Sequence, residues 1–154
     1  MKSRRALSAL LVCVVLANCI ITQANAAKVQ NDPIRLEDMT CEQIDLSNLE
    51  PWEECTELRS VGSINGTISA HSISAVSPSI FLPTRSTVTF NCSYSPSSAS
   101  MDFGVLTPDG RFYFINVKGG SINQALEISQ AGNYAVAIRN NSSQAVSVVG
   151  FVEY

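Results

Sequence analysis

The sequence predicts a mainly β protein, an antiparallel β-sandwich of jelly-roll type with a short, disulfide-held helical segment at its N-terminal side. Two observations lead to this fold class. From residue 60 onward, apolar and polar residues alternate with a period of two in several short runs, as in strands with one buried face. Turn-forming residues separate these runs at intervals of about 8–12 residues, which is typical of sandwiches and barrels.

The alternation locates the individual strands. Val88, Phe90, Cys92 and Tyr94 share one face of a strand, and the sequence Thr107-Pro108-Asp109-Gly110 has the residues of a tight turn. Since no helix-length segment separates the later strands, we expect antiparallel hairpins between them. The other expected strands lie within 64–70, 101–105, 111–117, 122–128, 134–138 and 146–152.

Residues 27–59 differ in composition from the predicted sandwich domain, 60–154. Nine of the thirteen Asp and Glu residues lie between Asp32 and Glu57. Thr40 with Gln43 three residues later matches a capping box, and Pro51 suits a first helical position. We expect one- or two-turn helices at these places, linked by a Cys41–Cys55 disulfide. Cys92 would then be free and buried, as a small apolar residue in the sheet.

The first 26 residues have the pattern of a cleavable signal peptide. Lys2, Arg4 and Arg5 precede an apolar stretch over 6–21, and Ala24-Asn25-Ala26 offers the small-x-small cleavage site. The apolar stretch is shorter than the roughly 20 residues that span a bilayer. We therefore expect a secreted protein with no membrane contact after cleavage. A retained anchor, or lipidation at Cys19, is the weaker alternative.

The composition argues against several classes of function. Removal of the signal peptide leaves an acidic chain, whereas nucleic acids and anionic membranes select basic faces. His71 is the only histidine, so a catalytic triad would depend on it, and no Gly-x-Ser-x-Gly elbow is present. We expect no enzyme, cofactor or metal. A small hydrolase built on His71, or calcium at Asp102 and Asp109, is the less favoured alternative.

The candidate binding residues fall into two groups. Trp52 and Tyr113 could stack on a sugar ring, although the sequence favours burial in the sandwich for Tyr113. Glu53, Glu54 and Glu57 could form an acidic contact surface, or belong to a solvated cap over a sheet edge. We expect a non-catalytic module that binds an extracellular polysaccharide, cell surface or protein. The alternative is a secreted inhibitor that acts through the acidic segment.

Four Asn-x-Ser/Thr patterns also occur, and each is a possible N-glycosylation site. They begin at Asn65, Asn91, Asn140 and Asn141.

Residues from about 87 to 154 resemble a known type of accessory module. The features are the turn at Pro108-Asp109-Gly110, the run Ala131-Gly132-Asn133-Tyr134-Ala135-Val136, and a polar Asn-Ser turn before a last alternating strand. Together they are similar to bacterial pre-peptidase C-terminal domains, jelly-roll modules appended to secreted peptidases. The resemblance implies a non-catalytic extracellular module that aids folding or binds surface polymers. Some members bind calcium through an Asp-rich strand, where this chain has Asp102 alone.

Cleavage near Ala26 is directly testable. N-terminal sequencing of the secreted product is expected to begin at Ala27 or Lys28, because signal peptidase cuts after the small-x-small pattern. A mature chain that still contains residues 10–16 would contradict the signal peptide.

Overall fold

The computed structural model describes residues 32–50, residue 52 and residues 61–154. These residues form strands, two single 3₁₀ turns and the loops that join them. The 3₁₀ turns are Leu36–Asp38 and Leu46–Asn48. The strands are β1 (Ile34–Arg35), β2 (Thr40–Gln43), β3 (Leu49–Glu50), β4 (Val61–Ile68), β5 (Ile73–Ala75), β6 (Ile80–Leu82), β7 (Thr87–Ser95), β8 (Met101–Leu106), β9 (Arg111–Val117), β10 (Ser121–Glu127), β11 (Gly132–Asn140) and β12 (Val146–Glu153).

The strands build two sheets. Sheet A has the order β1-β10-β7-β12-β4, and sheet B has the order β2-β9-β8-β11-β5-β3, with β6 also paired to β11. All pairings in them are antiparallel except β1 with β10 and β3 with β5. The predicted β-sandwich class is therefore confirmed for the described part of the chain.

A single apolar core lies between the sheets. It combines inward residues of sheet A, such as Phe90 of β7, with inward residues of sheet B, such as Phe103 of β8. These two rings meet edge to face with their centroids 5.5 Å apart, an arrangement that aromatic pairs prefer. Cys92 is buried beside them in the phase that the sequence predicts. The period of two thus specifies correctly which face of each long strand is inside.

A second, smaller apolar cluster covers the outer face of sheet B. Phe112 and Phe114 of β9 point away from the main core, and their rings stack with centroids 5.0 Å apart. Ile44 and Leu49, from the chain that precedes the sandwich domain, pack on this cluster. Sheet B therefore has covered side chains on both faces. This explains why β9 is rich in large apolar residues at every phase.

The predicted helix at Thr40 is wrong. Thr40–Gln43 is strand β2, which pairs antiparallel with β9 so that Cys41 lies opposite Tyr113. A one-turn helix has little stability of its own, whereas the edge of β9 offers a ladder of backbone hydrogen bonds. Tertiary pairing therefore outweighs the local capping signal. The helix predicted to begin at Pro51 lies outside the described residues.

The predicted hairpins also need correction. Only β8 and β9, joined by the Thr107-to-Gly110 turn, are consecutive long strands that pair directly among the described strands. The connections β7–β8, β9–β10, β10–β11 and β11–β12 each cross from one sheet to the other. Alternation along one strand reports its buried face but not its neighbour, so sequence periodicity predicts the strands without their pairing.

Gly104 marks the closest approach of β8 to β9. A Cβ atom at this position would lie 1.9 Å from the carbonyl oxygen of Tyr113 and 2.8 Å from Cα of Phe114. Both atoms belong to the backbone of the paired strand, so they cannot move aside without separating the ladder. The position requires glycine.

Gly104→Ala is expected to lower the free energy of unfolding by about 1–3 kcal/mol, the usual range for overpacking. Gly132→Ala is the matched control, because its nearest neighbour, the Tyr134 ring, is 3.4 Å away. This control should change stability by no more than about 0.5 kcal/mol. Urea unfolding of the two variants measures both effects, and equal losses would contradict the close approach.

Candidate functional site

A buried carboxylate organises the polar part of the outer face of sheet B. Asp102 of β8 is 1% exposed and accepts hydrogen bonds from three side chains. Arg139 of β11 donates from Nε at 2.8 Å and approaches with Nη2 at 2.7 Å. Asn116 Nδ2 donates at 2.6 Å and Asn141 Nδ2 at 2.7 Å. The carboxylate is therefore well satisfied, as a buried charge must be.

Arg139 joins this carboxylate to the N-terminal segment. Its guanidinium carbon lies 4.6 Å from the centroid of the Phe114 ring and 5.5 Å from that of Phe112. Its Nη1 contacts Glu42 Oε2 of strand β2 at 2.5 Å. Burial alone would lower the pKa of Arg139, but hydrogen bonds and charges from Glu42 and Asp102 raise it above its ordinary value.

Asp102, Arg139, Asn116, Asn141 and Glu42 form one polar network, called the Asp102–Arg139 network below. This network anchors the N-terminal segment to sheet B. Every partner of the Asp102 carboxylate is a donor, so the oxygens face a cation and two amides. This environment suits an internal ion pair and does not suit calcium, which needs several oxygens to converge. Asp109, the other calcium candidate, instead pairs with Arg111 at 3.1 Å.

The described carboxylates of the acidic segment are largely engaged within the protein. Glu50 accepts from Ser72 Oγ at 3.0 Å, and Glu42 holds Arg139. Asp45 accepts from the Ser47 backbone N–H, which together with the Ser47 hydroxyl holds the pKa of Asp45 below its usual value. The contacts of Glu42 and Glu50 join this segment to Arg139 of β11 and to Ser72, which precedes β5. Glu53, Glu54 and Glu57 lie outside the described residues.

The two aromatic candidates are packed against the core. Trp52 is half-buried, and an ideal Cβ at Gly66 of β4 would lie 2.7 Å from its Cη2 atom. The indole therefore occupies the space that the glycine leaves. Tyr113 is half-buried against the main core at the margin of sheet B. Burial is thus the alternative that the structure supports for Tyr113.

The described cysteines and the histidine have separate environments. Cys92 Sγ lies 3.7 Å from the carbonyl oxygen of Phe151, and burial raises its pKa from 9.0 to about 11. Its thiol is therefore protonated and poorly nucleophilic at neutral pH. Cys41 is exposed on β2, and since Cys55 lies outside the described residues, their disulfide stays a prediction. His71 is exposed in a turn.

The outer face of sheet A has an entirely different surface. No cluster of described residues covers it, and its outward positions are exposed or half-exposed along β4, β12, β7 and β10. The outward residues are hydroxyl, amide and small apolar side chains over most of the face. They are Val61, Ser63, Asn65, Thr67, Thr87, Thr89, Asn91, Ser93, Ser95, Ser121, Asn123, Ala125, Ser147, Val149 and Phe151.

Val149 and Phe151 form the apolar centre of this face. Val149 is 56% exposed and Phe151 is 41% exposed, two positions apart on β12, the strand between β7 and the edge strand β4. The register places Phe151 between Ser63 of β4 and Asn91 of β7. Both residues could be identified from the sequence, because they occupy the outward phase of the alternating run 146–152. Together they form a small exposed apolar patch on this face.

Charged groups occur at one end of the outer face of sheet A. Glu153 lies opposite Thr89, and Arg35 lies 3.8 Å from Glu127 at the margin. A depression of about 440 Å³ opens at this end. It is lined by Val61, Thr87, Thr89, Glu153 and Tyr154. Hydroxyl, carboxylate and aromatic groups thus meet at the end of the neutral face.

The structure separates the four Asn-x-Ser/Thr patterns. Asn140 is buried, and its Nδ2 donates to the carbonyl oxygens of Ile68, Ser69 and Gln144 at 2.8–3.2 Å. Because that nitrogen is enclosed, Asn140 is unsuited to carry a glycan. Asn65 and Asn91, by contrast, are exposed on the outer face of sheet A.

In comparisons with known proteins, no protein-family model, no curated protein and no solved structure matches this chain. Within the described residues, no three His, Cys, Asp or Glu side chains group together as metal ligands would. None of the helical elements described is long and apolar enough to cross a membrane.

The Asp102–Arg139 network can be tested with two substitutions at Arg139 and Glu42. Arg139→Gln is expected to reduce the free energy of unfolding by about 3 kcal/mol, because it leaves the Asp102 carboxylate buried without its cation. Glu42→Gln removes a carboxylate whose side chain is 48% exposed, and it should cost less than about 1 kcal/mol. Chemical denaturation of both variants is the measurement. A larger loss for Glu42→Gln than for Arg139→Gln would show that the exposed Glu42–Arg139 pair, and not the buried Asp102–Arg139 pair, holds the segment in place.

Proposed function

We propose that this chain is an exported, non-catalytic module that binds an uncharged extracellular polysaccharide on the outer face of sheet A. The observation behind the proposal is the contrast between the two outer faces. Residues of the 36–50 segment cover sheet B, whereas sheet A presents an exposed Val149–Phe151 centre surrounded by hydroxyl and amide groups.

The size of this face supports an extended ligand. Five strands at a spacing of about 4.8 Å give a width of roughly 20 Å. Strand β4 has eight residues, which correspond to a length of about 26 Å at 3.3 Å per residue. A surface of this extent can contact several consecutive units of a polymer.

The chemistry of the face supports a neutral, hydroxyl-rich ligand. Ser, Thr and Asn side chains can both donate and accept, so each can replace a water molecule on a sugar hydroxyl. The Phe151 ring offers an apolar surface for the C–H side of a sugar ring. Apart from Glu153, strands β4, β12 and β7 contain no charged side chain. The face they form therefore attracts neither a polyanion nor a polycation strongly.

The strand order supports the finer jelly-roll assignment. Strands β4 to β12 divide into the series β10-β7-β12-β4 and β9-β8-β11-β5. Most successive strands alternate between the two sheets, as Greek-key connections require. The similarity of 87–154 to bacterial pre-peptidase C-terminal domains adds the expectation of a module that binds surface polymers. The predicted signal peptide, outside the described residues, adds the expectation of export.

Phe151→Ala is expected to weaken binding to a neutral polysaccharide by about tenfold, which corresponds to 1.4 kcal/mol. The probes are insoluble cellulose, chitin and a mixed-linkage β-glucan, with alginate as an anionic comparison. The protein is produced in a host without N-glycosylation, so that Asn65 and Asn91 are bare. Phe81→Ala is the matched control, because Phe81 is 67% exposed on β6 of the opposite sheet.

Depletion from solution measures the affinity at two salt concentrations. The proposal expects binding to at least one neutral probe, little change with salt, and no loss for Phe81→Ala. It fails if the wild-type protein binds none of the neutral probes. It also fails if Phe151→Ala binds as the wild type does, or if alginate alone is retained with a strong dependence on salt.

A further inference from the structure

The strands at the margins of the two sheets are unequal. Sheet A ends at β1 and β4, and sheet B ends at β2 and β3. Three of these four strands have only two to four residues and come from the 34–50 segment. Very short strands of this kind are one way in which proteins prevent pairing at a sheet edge. Strand β4, with eight residues, is the longest of the described strands at a sheet margin.

Strand β4 has the features of an edge that pairs. All eight of its residues are in register with β12 on one side, and the described structure shows no strand on the other side. Its sequence, Val-Gly-Ser-Ile-Asn-Gly-Thr-Ile, contains no proline and no charged residue. Lysine, proline and inward charges are the usual devices that protect an exposed edge, and β4 has none of them.

We infer that β4 pairs antiparallel with β4 of a second copy of this chain, so that the two A sheets form one continuous ten-stranded sheet. Strand addition at a free edge supplies backbone hydrogen bonds to both partners. The pairing is isologous: a two-fold axis perpendicular to the sheet relates the copies, and the assembly closes as a dimer.

The side-chain pattern is compatible with this symmetry. Facing residues of an antiparallel pair point to the same side of a sheet. With Asn65 opposite Asn65 of the partner subunit, outward residues meet outward residues and the buried phase of Ile64 continues inside. The seam is uncharged, so a chain with a formal net charge of −3 meets no repulsion between side chains at the contact itself.

The dimer is expected to be weak. One strand pair buries less surface than the roughly 1,200–2,000 Å² of a stable interface, so association should depend on concentration. In the dimer the two neutral faces lie on the same side and double the surface open to an extended ligand. Formation of the dimer itself does not depend on the proposed polysaccharide binding.

The test is sedimentation velocity of the mature chain over a wide concentration range, with no polysaccharide present. Asn65→Lys/Thr67→Lys places like charges across the seam, and it is expected to raise the dimer dissociation constant at least tenfold. The matched control is Asn91→Lys/Ser93→Lys, which puts the same charge on the same face but on the interior strand β7. This control should dimerise as the wild type does.

Several results would overturn the pairing. They are a wild-type protein that stays monomeric at millimolar concentration, equal dimerisation of the edge variant, and growth into open-ended chains. If the monomer shows slow amide exchange along the outer edge of β4, another segment of the same chain covers that edge. Binding of a neutral polysaccharide by the wild-type protein at concentrations where it is monomeric would separate this inference from the proposed function.

Discussion

The need to cover the outer face of sheet B determines much of this structure. That face contains Phe112 and Phe114, whose exposure would cost about 1.5–3 kcal/mol per ring in lost burial. Ile44 and Leu49 supply the cover, and the 34–50 segment is thereby tied to the sandwich. The same segment contributes β1, β2 and β3, so the short strands at three sheet edges all come from it.

The Asp102–Arg139 pair helps to determine the position of the 34–50 segment on sheet B. A buried ion pair adds little net stability compared with apolar residues of similar size, because both charges lose their hydration. The pair nevertheless favours one register of β2, because a shift of β2 that moved Glu42 away from Arg139 would remove one partner of the guanidinium. Stacking of Arg139 on Phe112 and Phe114 joins the polar and apolar parts of the contact. We regard the network as a device for register rather than a source of stability.

The sequence predicted most of the long strands, and it did so from a local property. Alternation reports one buried face, and it located β7, β8, β9, β11 and β12 together with the buried phase of Cys92. The edge strand β2 was missed because Thr40 and Gln43 match a helix cap locally, while the partner strand lies about 70 residues away. Asp102 and Arg139 were missed as a pair for the same reason. Their signal was a charge at the outward phase of an otherwise apolar strand.

The candidate site could be predicted from the sequence only in part, because the exposure of an outward side chain depends on whether another segment covers that face of the sheet. In β9 and β12 alike, one phase faces the main core and the other phase contains at least one aromatic residue. The sequence treats Phe112 and Phe151 alike, yet the first is fully buried under the 36–50 segment and the second is 41% exposed. Burial of Phe112 stabilises the fold, so its presence needs no ligand. The exposed part of the Phe151 ring gains no such burial within this fold. Folding alone thus explains Phe112, whereas the exposed part of the Phe151 ring is open to the ligand contact that we propose.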